Sequence, residues 1–311
     1  MSAAIFAGRK LAAEKEKFLE EEFANLREKG IIPKLVFILV GENSEAESYV
    51  RLKEKAAKRL GVNFEIKKFA EDQEEAIVSY INICYNDPKV TGITFEYPLP
   101  GDLEKTLPCF LPPGKDIDCL CPENLGRLVL GDYFVFPSTV WAILEVLSIA
   151  IGGAVRDTSL DSVKYSSSLR SELAFNLARE DHLTALRDFL RGKNVCLVGW
   201  GTLVGRPLAL VLKNLGTTLT ICDSKTKDLA AKTLSAQILI SATGIAGLIK
   251  KEMVKPGAIV IDVGYPKPDV EVGVAEVASF LAPVPGGIGP VSITCLFENL
   301  LEFSLSNETK R

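Results

Sequence analysis

Histidine is nearly absent from this chain. One residue of 311 is of that type, His182, and it sits in the polar stretch AREDHLTAL, where a surface imidazole is the expected reading. Mechanisms built on a catalytic histidine therefore have no strong candidate. Runs of Lys and Arg are missing too, and the formal net charge is -4, so the electrostatic footprint of a nucleic-acid partner is lacking. No apolar stretch is read as reaching the roughly 18 residues of a membrane span. The N-terminal MSAAIFAGRKLAAEKEKF becomes charged too early for a signal peptide. Its apolar residues recur at helical spacing, so it is expected to be a helix of the folded domain. A pairing pattern among cysteines is also lacking. The seven are scattered at 84, 109, 119, 121, 196, 222 and 295. The count is odd, so no disulfide framework is expected, and a reducing cytoplasm is the compartment that fits. Cys119 and Cys121 form a lone C-x-C with no second Cys or His pair nearby, so no metal site is expected.

What is present is a chain long enough for two domains, with 47% hydrophobic residues to fill their cores. Strand-like apolar runs alternate with amphipathic segments throughout, which predicts an α/β fold with largely parallel sheets. In the first part, 35–40 (LVFILV), 62–69 and 90–96 read as strands. Ser44 is expected to open a helix, with Glu47 at capping-box spacing, and Gly61 to close it. Pro98, Pro100 and Gly101 end the third strand in a loop. In the second part, 194–199, 217–222, 237–242 and 258–264 read as strands and 203–215 as a helix. This half reads as a nucleotide-binding sheet. The segment 152–191, rich in Ser and charged residues, shows no chemistry and reads as a helical insertion or a linker.

Four constellations stand out. Gly199, Trp200, Gly201, Thr202, Leu203, Val204 and Gly205 follow a strand and open a helix. Glycines there let a phosphate approach the backbone, and the helix N-terminus supplies N–H donors. The G-x-G-x-x-x-G spacing is one residue longer than the common fingerprint, and a plain tight turn is the competing reading. Asp223, about 20 residues on, stands where an acid can bind the ribose hydroxyls of NAD and repel a 2′-phosphate; it can equally be a turn residue. Tyr49 and Lys53 share a helix face, as do many solvated pairs. Glu96 lies at the carboxyl end of a strand, where open α/β sheets bind ligands, and the acids of Lys115-Asp116-Ile117-Asp118 follow, as ligands or as a turn. Residues 283–290 (PVPGGIGP) contain six Gly or Pro. This side-chain-poor loop suits close backbone approach to a ligand, or serves as a crossover.

In this order, LVGENSEAESYVRLK, GITFEYPLP, KDIDCLCPENLGRL, GKNVCLVGWGTLVGRPLA, CDSKT, KPGAIVIDVG and APVPGGIGPVSITCLFENLLE resemble the methylenetetrahydrofolate dehydrogenase/cyclohydrolase family over nearly the whole chain. The resemblance implies a folate-binding catalytic domain at 1–150, completed by the C-terminal helix within 286–311. It implies a Rossmann-like nucleotide-binding domain at 151–285, with folate in the cleft between them. Lys53 then corresponds to the catalytic lysine of the Y-V-x-x-K motif, Tyr49 to the folate-orienting tyrosine, and Asp118 to the pterin-binding acid. Pro285, Gly286 and Gly287 line the folate site. The nucleotide contacts would fall at Gly199, Trp200, Gly201, Thr202, Val204, Gly205, Asp223, Ser224, Thr243, Gly244, Asp262 and Gly264. A homodimer is the family's usual state, and neither a nucleic-acid nor a membrane partner is expected.

The departures shape the functional expectation. Glu96 stands where the family's Q-L-P-L-P motif has Gln, Trp200 where G-R-S has Arg, and Asp223 where C-H-S has His. P-C-T-P becomes Pro137-Ser138-Thr139-Val140, and K-D-V-D-G-F becomes KDIDCL, losing a glycine and an aromatic residue. Loss of an arginine and gain of an acid predict NAD favoured over NADP. A carboxylate at 96 close to Lys53 favours the ammonium form. That predicts a competent dehydrogenase and a weakened cyclohydrolase with its pH optimum displaced upward. The alternative is a divergent, non-catalytic homologue that binds nucleotide or folate in a regulatory or interaction role.

Overall fold

The computed structural model describes residues 2–152 and 172–308. In chain order the elements are β1 (Ala4–Ile5), α1 (Gly8–Glu28), β2 (Lys34–Val40), α2 (Ser44–Leu60), β3 (Asn63–Phe69), α3 (Glu74–Asn86), β4 (Val90–Phe95), α4 (Leu103–Thr106), α5 (Pro122–Leu130), α6 (Ser138–Gly152), α7 (Glu172–Leu190), β5 (Asn194–Val198), α8 (Gly205–Asn214), β6 (Thr218–Cys222), α9 (Leu229–Leu234), β7 (Ile238–Ser241), β8 (Ile259–Asp262), β9 (Phe280–Ala282) and α10 (Ile288–Glu308). They form two compact units, each discontinuous in sequence. One gathers residues 14–137 and 293–308; the other gathers 2–13, 138–152 and 173–292.

The first unit holds a three-stranded parallel sheet in the order β3-β2-β4. Its central strand, β2, is apolar at six successive positions because both of its faces are covered: Leu35 through Val40 are all buried. On β4, Gly92 is set by packing, since a Cβ there would lie 2.6 Å from Ile117 Cγ2 and 3.2 Å from Leu300 Cδ1. Asn299 of α10 ties down the chain that follows, its Nδ2 donating to the carbonyls of Ile117 and Phe136 at 2.8 Å each. The cap of α2 is a correction. Ser44 is the first helical residue, not the cap; Asn43 caps the helix, its Oδ1 accepting from the amides of Glu45 and Ala46 at 3.0 Å. Gly61 ends α2 at φ 69°, as expected.

The second unit holds a six-stranded parallel sheet in the order β1-β9-β8-β7-β5-β6. The N-terminus departs from expectation: Ala4 and Ile5 pair with Phe280 and Leu281 as an edge strand, and the helix begins only at Gly8. Helix α8 starts two residues later than expected, because 202–204 form a turn before it. In the expected insertion, 172–190 is helix α7, with Leu183, Leu186 and Leu190 buried; 153–171 lie outside the described residues. His182 is half-buried rather than a free surface residue. Its Nε2 is 2.9 Å from Ser148 Oγ, and its ring is 5.1 Å from that of Trp141. The α10 segment Ile288–Ser306 proves long and apolar enough for a membrane span by length and composition. Yet 83% of that window is buried inside the protein, so its apolarity serves the core. All seven cysteines are free thiols.

Candidate active site

In the three-stranded unit, α2 and the carboxyl end of β4 bring three of the expected residues together. Lys53 is one helical turn beyond Tyr49, and Glu96 directly follows β4. Lys53 Nζ lies 2.7 Å from Glu96 Oε2, with both residues buried. The ammonium is also 4.7 Å from the ring centroids of both Phe37 and Tyr49. One carboxylate and two π faces hold a cation there. Burial pushes the Glu96 carboxyl above its ordinary range, against the opposing pull of the Lys53 charge and hydrogen bond. Phe37 and Tyr97 were not anticipated. Tyr97 stands where the Q-L-P-L-P motif has Leu, and its hydroxyl is buried without a hydrogen-bond partner.

The K-D-x-D loop divides its labour. Lys115 Nζ donates to the carbonyls of Cys84 and Asp87 at the end of α3, at 2.8 and 2.7 Å. Asp116 is fully buried and accepts from the amides of Leu120 and Cys121 and from Asn124 Nδ2, each at 2.9 Å. Asp116 is thus the turn-making acid, while Asp118 remains half-buried. Cys119, standing where the family has glycine, takes φ 54°, a left-handed conformation that a side chain strains. Burial raises its thiol and pushes that of Cys121 up to about 12. Cys121 Sγ instead caps α5, accepting from the Asn124 amide at 3.4 Å.

In the six-stranded unit, the expected nucleotide loop joins β5 to α8. Gly199 has φ 113°, and its missing Cβ would lie 2.2 Å from the Ala242 carbonyl oxygen; at Gly205 a Cβ would lie 2.3 Å from the Gly199 oxygen. The backbone is therefore drawn into a tight turn at a helix N-terminus, the geometry that accepts a dinucleotide pyrophosphate. Trp200 is 41% exposed in this loop. Asp223, exposed at the end of β6, fixes a turn through Oδ1, which accepts from the Lys225 amide at 2.9 Å and Thr226 Oγ1 at 3.2 Å. Ser224 lies in that turn, and Thr202 and Val204 in the loop before α8. Thr243, Asp262 and Gly264 are engaged within the protein. Thr243 donates both its amide and hydroxyl hydrogens to Asp269, beside Gly244 at φ 69°. The Asp262 carboxylate accepts from the amides of Gly264, Asp269 and Val270. Burial, outweighing these bonds, raises that carboxyl to about 6.

The Pro–Gly loop joins β9 to α10 in the same unit. Gly286 has φ 100°, and a Cβ on Gly287 would meet the Pro283 oxygen at 2.4 Å. Gly8 was not singled out from sequence. It sits against this loop, where a Cβ would lie 1.9 Å from the Gly287 oxygen.

Two family profiles match the chain: the catalytic domain of tetrahydrofolate dehydrogenase/cyclohydrolase over residues 6–118, and its NAD(P)-binding domain over residues 181–308. The bifunctional protein FolD of Bacillus subtilis is 35% identical over 312 residues, covering 97% of this chain and 98% of that protein. The chain belongs to the tetrahydrofolate dehydrogenase/cyclohydrolase family. Among solved members, the bifunctional FolD of Campylobacter jejuni superposes with TM-score 0.80 at 30% identity, over 98% of this chain and all of that one. The FolD of Trypanosoma brucei, described as complexed with NADP and an inhibitor, gives TM-score 0.81 at 29% identity, over the full length of both chains.

Proposed function

We propose that the protein oxidises 5,10-methylenetetrahydrofolate to the 5,10-methenyl form with NAD(P), and hydrolyses that product to 10-formyltetrahydrofolate. Family membership supports both activities. The observation that carries the mechanism is the buried Lys53–Glu96 pair, packed on Tyr49 at the carboxyl end of β4. A dinucleotide held at the Gly199–Gly205 loop would supply the hydride acceptor for oxidation of the folate's one-carbon bridge. That step leaves a cation and releases no proton to the protein, so the chain need only orient the folate and stabilise positive charge. Tyr49 orients the ring system, Asp118 binds the pterin, Glu96 provides the negative charge, and Pro285, Gly286 and Gly287 line the folate site. Hydration of the cation and ring opening do require proton movement, and Lys53 Nζ is the group that moves it. In this reading 1–150 with 286–311 serve the folate and 151–285 the nucleotide. The compact units instead change over at 137/138 and 292/293.

NAD is favoured over NADP in this reading. Trp200 offers no cation to a 2′-phosphate, and Asp223 presents a carboxylate held in place by its own turn. A lost charge-assisted contact and an added repulsion are each worth roughly 1–3 kcal/mol, which together makes tens-fold or more. Comparing kcat/KM for the two dinucleotides tests it; an NADP preference, with Lys225 or Arg206 binding the phosphate, would reverse the assignment. The protein acts as a cytoplasmic homodimer. Incubation with methylenetetrahydrofolate and either dinucleotide tests the whole reading. Methenyl product supports it, and binding without turnover favours the non-catalytic, regulatory alternative.

A further inference from the structure

Asp269 belongs to no motif singled out from sequence, yet its side chain accepts three hydrogen bonds at the carboxyl edge of the six-stranded sheet. It is fully buried. One oxygen, Oδ2, accepts three hydrogen bonds: from Ser241 Oγ at 2.8 Å, from the Thr243 amide at 2.7 Å and from Thr243 Oγ1 at 2.8 Å. The Thr243 hydroxyl in turn accepts from the Ile245 amide at 3.1 Å. The end of β7 and the turn that leaves it are thus fastened to one carboxyl group by three hydrogen bonds, one from Ser241 and two from Thr243. Asp269 is itself fixed. Its amide donates to Asp262 Oδ1 at 3.2 Å, its carbonyl accepts from the Ile249 amide at 2.9 Å, and it fits only because Gly264 has no side chain. A Cβ at Gly264 would lie 2.6 Å from both the amide nitrogen and Oδ1 of Asp269.

The turn held in this way is the one that Gly199 abuts. The missing Cβ of Gly199 would lie 2.2 Å from the Ala242 oxygen and 3.4 Å from the Thr243 nitrogen. Because β8, β7 and β5 are neighbours in the sheet, a chain of contacts runs across it. It passes from Asp262 at the end of β8, through Asp269, to the turn after β7 and on to the glycine loop after β5. We propose that Asp269 is a positioning residue for the dinucleotide: it touches no reacting atom, but fixes the Ala242–Thr243 peptide that shapes the Gly199–Gly205 loop. This rests on the reading of that loop as the NAD(P) site. It also gives Thr243 a different task, since both of its hydrogens go to Asp269 rather than to the cofactor.

The two activities provide a test that a merely structural role would fail, because hydrolysis of the methenyl compound uses no dinucleotide. In the full-length protein, Asp269→Ala should raise KM for NAD at least tenfold and weaken NAD binding, read from tryptophan fluorescence, by a similar factor. Methenyl hydrolysis without dinucleotide should stay within about twofold of the parent. Asp269→Asn should recover NAD binding to within a few-fold, because the amide oxygen can accept the same three bonds. An Asp269→Ala protein with parental NAD affinity would overturn the inference. So would a parallel loss of both activities that Asp269→Asn does not relieve. If Asp269→Ala shows no cooperative unfolding, Ser241→Ala removes one hydroxyl from the clamp. A several-fold rise in KM for NAD then supports the inference, and an unchanged KM overturns it. A parent protein that binds neither NAD nor NADP would refute the nucleotide assignment itself, a result distinct from all of these.

Discussion

At the scale of the residue, the proposed mechanism rests on one buried ion pair. Replacing Lys53 with Met should abolish methenyl hydrolysis while sparing hydride transfer to a greater degree, because only hydration and ring opening move protons. A Lys53→Met protein that hydrolyses the methenyl compound at the parental rate, above the spontaneous background, would make the lysine a bystander. In the proposed mechanism Glu96 tunes that activity. Its carboxyl is raised by burial, so in acid it carries a proton and resembles glutamine, and as pH rises through the raised value it becomes an anion 2.7 Å from Lys53 Nζ. Glu96→Gln should therefore increase methenyl hydrolysis near neutral pH, with the two proteins converging on the acid side. Superimposable pH–rate profiles, or a slower variant, would show that the coupling is absent. The candidate pair was legible in the sequence because motif spacing placed Tyr49 and Lys53 on one face and Glu96 at a strand end. Phe37 was not, since one aromatic in the apolar run LVFILV carries no sign of the cation beside it. The strained Cys119 was visible only as a glycine lost from a motif, with no backbone angle attached.

At the scale of the element, boundaries follow capping chemistry more closely than hydrophobic pattern. Asn43→Ala should cost roughly 0.5–2 kcal/mol through the lost cap of α2, whereas Ser44→Ala should stay within about 0.5 kcal/mol, as at an ordinary surface position. Urea titration of both variants checks this, and the reverse order would restore Ser44 as the cap. The ambiguity was inherent in the sequence, because Asn43 and Ser44 are both cap-forming types and Glu47 lies at capping-box spacing from Ser44. Strands β2, β5, β7 and β8 were readable because burial on both faces demands unbroken apolar runs. β1 was not, because two residues are too few to show a period. Asp269 was hidden for a related reason: it follows a proline-interrupted stretch, YPKPD, where a turn acid is unremarkable. Its importance comes from residues 26 and 28 positions earlier in the chain.

At the scale of the whole molecule, buried carboxyls make stability depend on pH. Asp262 rises from 3.8 to about 6 on folding. The folded state binds this proton more tightly than the unfolded chain does, so the contribution is complete below 3.8 and lost as pH rises through about 6. Each tenfold gain in proton affinity is worth about 1.4 kcal/mol, so the contribution is roughly 2–3 kcal/mol. Asp262→Asn should flatten the slope of unfolding free energy across that window, whatever its effect on absolute stability. Equal slopes for the two proteins would refute the assignment. The interleaving of the two units has a consequence for how the protein is made. The ribosome delivers residues 14–137 early, yet the part of α10 that completes their unit begins at residue 293. Between the two, the polymerising chain must produce nearly all of the six-stranded sheet. The first hydrophobic surface to emerge is therefore among the last to be covered, and it stays incomplete until residues 293 onward are made.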